Sequence, residues 1–148
     1  MKKILAIILP LVILFQSCDK EDAGLDGIDL SNTIPPYVEL TSTAAKEVQQ
    51  GTSATVAFQM RAAMQETVTI TYNITGAVNQ PNQTVVIDRN KTTANATVSI
   101  PNNVIVAPAT SAVATLTVVK AQTASGRMLT LGAKNDPSKQ KLTINIIP

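Results

Sequence analysis

The sequence predicts an all-β domain: an antiparallel sandwich of about seven strands, preceded by a cleavable leader and a flexible tether. Three observations carry this. From Tyr37 onward, apolar residues recur at every second position in short runs, the period of a strand with one buried face. Clusters of Gly, Pro, Asn and Asp separate the runs, and these residues favour turns. After residue 37 no segment carries the 3.6-residue apolar stripe of an amphipathic helix.

The leader covers residues 1–17. Met1-Lys2-Lys3 is a basic start, Ile4 to Phe15 is apolar apart from Pro10, and Gln16-Ser17 precedes Cys18, the single cysteine of the chain. A basic, then apolar, then small-residue order is that of a secretory signal. The apolar run is shorter than the ~20 residues of a membrane-spanning helix. The segment resembles the lipobox of bacterial lipoproteins, in which the Cys becomes the acylated first residue. Phe15, Gln16 and Ser17 stand where that pattern has Leu, a small residue and Gly, Ala or Ser. The resemblance implies lipidation of Cys18 by palmitate-type chains and attachment to a membrane. An ordinary signal peptide followed by a free Cys is the alternative.

Residues 18–36 form the tether. Cys18-Asp19-Lys20-Glu21-Asp22 resembles the surface-export signal of Bacteroidota-type lipoproteins, a Lys followed by two acids just after the lipidated Cys. Lys20, Glu21 and Asp22 are then the export signal, and the location is the outer membrane of a Gram-negative bacterium, facing outward. A solvated acidic linker has the same composition. Gly24 and Gly27 loosen this stretch, and Pro35-Pro36 closes it by stiffening the chain toward polyproline II at a domain edge.

The domain occupies residues 37–148. Val38 and Leu40 open it. Ala54, Val56, Phe58 and Met60 alternate with polar or small neighbours, as do Val68, Ile70, Tyr72 and Ile74. Val85-Val86-Ile87 is a short run. Ala94 to Ile100 and Ala112 to Val118 alternate again, Leu129 and Leu131 follow, and Leu142, Ile144 and Ile146 close the chain. Thr and Val dominate, and both are stiff at χ1 and suit a pleated surface. Turns are expected at Gly51, Gly76, Asn79-Gln80-Pro81-Asn82, Asp88 to Lys91, Pro101-Asn102-Asn103, Pro108, Ser125-Gly126 and Lys134 to Ser138. Thr43 to Gln50 reads equally as one or two helical turns or as an extended link. Phe58 and Tyr72 lie on the alternating apolar faces and are expected in the core, while Tyr37 lies at the domain edge.

At this point the order of runs resembles the Calx-β and immunoglobulin-like domains of secreted bacterial proteins. The stretches that carry it are Gly51 to Phe58, Thr67 to Asn73, Thr93 to Ile100 and Lys141 to Ile146. The resemblance implies an immunoglobulin-like sandwich. Calx-β domains that bind calcium cluster carboxylates in loops at one end. Here Glu39, Glu47, Glu66, Asp88 and Asp136 are the only acids after residue 36, scattered singly, so no metal site is expected.

Charge divides along the chain. Residues 19–30 hold five acids against Lys20, a balance of −4, whereas residues 37–148 hold nine Lys or Arg against five acids, a balance of +4. No basic stripe interleaved with aromatics is present, so no nucleic-acid partner is expected. With no His, and no Cys beyond Cys18, the common nucleophile–base pairs are absent, and neither an enzyme nor a cofactor is expected. Ser138 beside Lys139 and Ser125 near Arg127 remain as formal Ser–base pairs. Late basic residues Lys120, Arg127, Lys134, Lys139 and Lys141 would meet an acidic glycan or phosphate if loops gathered them. Four N-x-T triplets begin at Asn73, Asn82, Asn90 and Asn95; they match glycosylation sequons, as Asn- and Thr-rich strands also do.

The functional expectation is a lipid-anchored envelope module, for binding or scaffolding, that contacts another envelope protein or an extracellular polymer. The alternatives are a ligand-binding accessory lipoprotein of a nutrient-uptake system and an enzyme whose site the sequence does not disclose. No ligand-binding residue is assigned.

Overall fold

The computed structural model describes residues 35–133 and 136–148. Residues 1–17, the lipidation site Cys18 and the export residues Lys20, Glu21 and Asp22 lie outside the described residues. Nine strands form two packed sheets: β1 Tyr37–Leu40, β2 Lys46–Gln49, β3 Ser53–Met60, β4 Val68–Gly76, β5 Gln80–Ile87, β6 Thr93–Ser99, β7 Ala112–Thr123, β8 Thr130–Leu131 and β9 Lys141–Ile147. One sheet has the order β6-β3-β1-β8, the other β2-β9-β7-β4-β5. A short 3-10 turn at Pro137–Gln140 precedes β9.

The all-β sandwich expected from the alternation is present, with two additions. Lys46–Gln49, left open between helix and link, is a strand. Two pairings are parallel rather than antiparallel: β1 with β8, where Val38 faces Leu131, and β2 with β9, where Val48 faces Ile146. Both arise because one stretch of chain serves two sheets. β1 and β2 run in the same direction, the first in the four-stranded sheet and the second in the five-stranded one, and β8 and β9 repeat this at the other end of the sequence.

Alternation places the core. Val38 and Leu40 of β1, Val56 and Phe58 of β3, Ile70 and Ile74 of β4, Leu116 of β7, and Leu142, Ile144 and Ile146 of β9 are essentially inaccessible to solvent. Full burial of each such side chain contributes about 1.5–3 kcal/mol. Phe58 and Tyr72 are both buried in this cluster, as their positions predict.

Two bulges adjust the register. Thr71 faces Lys120 and the next residue, Tyr72, faces Val118, so Val119 is the extra residue in β7. The bulge keeps apolar side chains inward: Val118 is buried before it and Ala121 after it. It also breaks the period of two, which is why the alternation read from sequence stops at Val118. On β5, Tyr72 faces Gln83 but Ile74 faces Gln80. Pro81 and Asn82 occupy the extra length, Asn82 at φ 54°, with its N–H donating to Asn73 Oδ1 at 2.8 Å. The cluster Asn79 to Asn82, expected as a turn, therefore lies largely inside an edge strand, where Pro costs no ladder hydrogen bond.

Candidate functional site

Strand direction sorts the loops to two ends of the sandwich. β3 and β7 finish, and β1 and β4 start, at one end: Val38 faces Met60, and Val68 faces Thr123 and Ile87. That end holds residues 61–67, 88–92 and 124–129. The opposite end holds residues 50–52, 77–79 and 100–111.

Hydrogen bonds join the three loops of the first end into one surface. The Asn90 N–H donates to the Met64 carbonyl at 2.8 Å, and the Ala124 N–H to the Thr67 carbonyl at 3.0 Å. Arg89 Nη2 donates to Gln65 Oε1 at 3.4 Å. Glu66 accepts from the Ser125 N–H at 2.8 Å and from the Ser125 hydroxyl at 3.0 Å. The backbone N–H of Ser125, then the hydroxyls of Ser125 and Thr123 and the charge of Arg127, hold the Glu66 carboxyl below its ordinary value, against a smaller desolvation effect. Gly126, at φ 93°, lets residues 124–127 turn back so that Thr123 N–H meets the Arg127 carbonyl at 2.9 Å.

Charge is distributed unequally between the ends. The first carries Arg61, Glu66, Asp88, Arg89, Lys91 and Arg127, with all four cations exposed. The second carries no charged side chain in any of its loops. Its longest loop, residues 100–111, is anchored by Val104 and Ile105 packed against the core and by Ile105 N–H donating to Gln50 Oε1 at 3.4 Å. Val106 projects from it, 72% exposed.

Of the late basic residues, Lys134 lies outside the described residues, and the other four are not gathered by their loops. Arg127 joins Arg61, Arg89 and Lys91 from earlier loops. Lys120 faces Thr71 and Lys141 faces Thr117 along the five-stranded sheet. Lys139 reaches Glu39 Oε1 at 3.6 Å. The Ser138 hydroxyl donates to Asp136 Oδ1, so Ser138 and Lys139 serve different partners and form no nucleophile–base pair. The Ser125 hydroxyl likewise donates to Glu66 rather than pairing with Arg127.

One feature escaped the sequence. Glu39 sits between Val38 and Leu40 and so points away from the core, yet it is only 3% exposed. The residues around the 3-10 turn cover it. Gln59 Nε2 donates to its Oε1 at 2.6 Å, while Oε2 is buried without a hydrogen-bond partner among the described residues. Gly132 N–H to Val38 carbonyl at 2.7 Å and Gln140 Nε2 to Leu131 carbonyl at 2.8 Å fasten this cover. Among the described residues no three of His, Cys, Asp or Glu are grouped to hold a metal ion.

Of the four Asn-x-Thr positions, Asn82 and Asn90 adopt positive φ, Asn95 is exposed on β6, and Asn73 is half-buried on β4. Tyr37, the one aromatic expected outside the core, is half-buried at the start of β1.

Neither a protein-family model nor a curated relative matches the chain in sequence. The fold is a Calx-β-like sandwich. The apo form of the Calx CBD1 domain matches it with a TM-score of 0.54 at 5% identity, over 76% of this chain and 96% of that one. CBD12 from CALX1.2 gives a TM-score of 0.53 at 6% identity, over 75% of this chain and 43% of that one. Likeness at such identity is one of fold, and function rests on the site.

Proposed function

We propose that this chain is a lipid-anchored binding or scaffold module of the outer membrane, facing outward, that meets another envelope protein or an extracellular polymer through its charge-free loop end. Cys18, Lys20, Glu21 and Asp22 support the anchoring and its side. The observation that carries the orientation is the polarity of the sandwich. The described domain begins with Pro35 and Pro36 beside the charged loops, so a tether joins it there. The uncharged loops then form the far pole. They present Asn79, Asn102, Asn103 and the exposed Val106, a surface of amides around one apolar tip. Such a surface suits hydroxyl-rich polymer or neutral protein backbone, since it has no charge to desolvate.

A photo-crosslinking residue at Val106, activated on intact cells, tests this. The expected result is a discrete higher-mass adduct from position 106 and none from Thr143, on the exposed face of β9. Equal labelling at both positions, or none at 106, would overturn the reading.

A further inference from the structure

We propose that the charged loop end is a membrane-apposed surface, on which Arg61, Arg89, Lys91 and Arg127 meet the phosphates of anionic lipid headgroups and Met128 enters the interface. This deepens the proposed function and rests on it for the anchored bilayer, while the charge and exposure of the loops are read from the domain itself.

The first is convergence. Four cations from three loops separated in sequence share one end, and the loops are hydrogen-bonded to one another rather than independent. Two acids share it. Glu66 is turned into the Ser125 N–H and hydroxyl, and Asp88 is exposed, so the end keeps an excess of two positive charges. The second is Met128. It is 58% exposed, follows Arg127 directly, and is bridged to Gln122 just past the turn at residues 124–126 where β7 folds back. A lone apolar side chain among cations is the composition of an interfacial contact, in which apolar insertion and attraction to anionic lipid add. The third is connectivity. β1 starts at this end, so residues 18–34 leave the domain from its basic pole. Those 17 residues reach at most ~60 Å when extended, which keeps this pole in range of the bilayer that holds Cys18. An extracellular acidic polymer approaching from outside would first reach the far pole, whose loops carry no cation to hold it.

The test uses residues 18–148 with Cys18→Ser, so neither the apolar leader of residues 1–17 nor a lipid on Cys18 carries the binding. Sedimentation with vesicles of phosphatidylcholine alone and with one-third phosphatidylglycerol is compared at low and physiological salt. The expected result is binding to the anionic vesicles only, weakening with salt. Each neutralised cation should lower it by roughly five-fold, so the quadruple variant R61Q/R89Q/K91Q/R127Q should lose binding. Met128→Ser should weaken binding several-fold, and K120Q/K141Q, on the sheet face, should leave it near wild type. Inorganic phosphate at millimolar concentration should not displace the vesicles. Absence of binding to anionic vesicles, equal loss in K120Q/K141Q, or full displacement by free phosphate would each overturn the proposal.

Discussion

Phe58 of β3 and Tyr72 of β4 meet between the two sheets, with ring centroids 5.5 Å apart and planes inclined by 36°. They are the only pair of aromatic rings among the described residues of the core, and each comes from a different sheet. Burial also pushes the Tyr72 phenol above its ordinary pKa. Tilted aromatic pairs contribute about 0.5–1.5 kcal/mol beyond the area they bury. Phe58→Ala is expected to lower stability by about 3–5 kcal/mol. Tyr72→Phe should stay close to wild type, because the ring packing is retained. Urea denaturation of Phe58→Ala, Tyr72→Ala and the double variant measures the coupling. Strict additivity would show that the rings contribute only through area.

The buried carboxylate of Glu39 leads to an ordering. Its hydrogen bond from Gln59 is short and shielded, whereas the Lys139 ammonium is 37% exposed and screened by water. Gln59→Ala should cost about 1.5–3 kcal/mol, the range for hydrogen bonds to charged groups. Lys139→Ala should cost about 1 kcal/mol or less. Reversal of this order in chemical denaturation would mean that the ion pair, not the amide, holds Glu39.

Glu66 sets the acid response of the charged loop end. Its pKa is lowered on folding from 4.5, so the stabilisation is complete above that value and is lost as pH falls through the lower, folded one. Carboxyl NMR titration should place Glu66 below 4.5. Ser125→Ala should leave it depressed, because the backbone N–H, the largest contributor, remains. Ser125→Pro removes that N–H and should bring Glu66 back toward 4.5. A full return already in Ser125→Ala would assign the effect to the hydroxyl instead.

Calcium should not stabilise the domain. Glu39 is held by Gln59 and Lys139, Glu66 by Ser125, and Asp136 by Ser138. A site filled at ~100 times its dissociation constant would add about 2.7 kcal/mol. Thermal melts with excess calcium and with chelator should therefore superimpose, and a calcium-dependent rise in Tm would reveal a site among these acids.

Anchoring and export separate experimentally. Cys18→Ala should release the protein from membranes or leave it unprocessed, because two or more acyl chains are what hold such a protein. Replacing Lys20, Glu21 and Asp22 with Ala should keep the anchor but protect the domain from protease added to intact cells. Wild type that resists protease until lysis would place the domain in the periplasm.

Much of the sandwich was written in the period of two. Val68, Ile70, Tyr72 and Ile74 could be read as one buried face because side chains alternate across a strand whatever it pairs with. The same indifference hid the partners. Alternation carries neither strand direction nor sheet membership, so the parallel pairings of β1 with β8 and β2 with β9 were invisible. It also fails where a bulge adds a residue, at Val119 and at Pro81-Asn82. The burial of Glu39 has no sequence signal, because its neighbours Val38 and Leu40 set the inward face. Only the fold brings the residues around Lys139 over it, a hundred positions later. The charged end was equally illegible. Arg61, Arg89, Lys91 and Arg127 are unremarkable loop residues until strand direction brings their loops to one pole. Local pattern decides which side chains are buried, because burial follows from the pleat. Which charges meet is decided by chain path, because electrostatic neighbours are set by distance in space and not along the sequence.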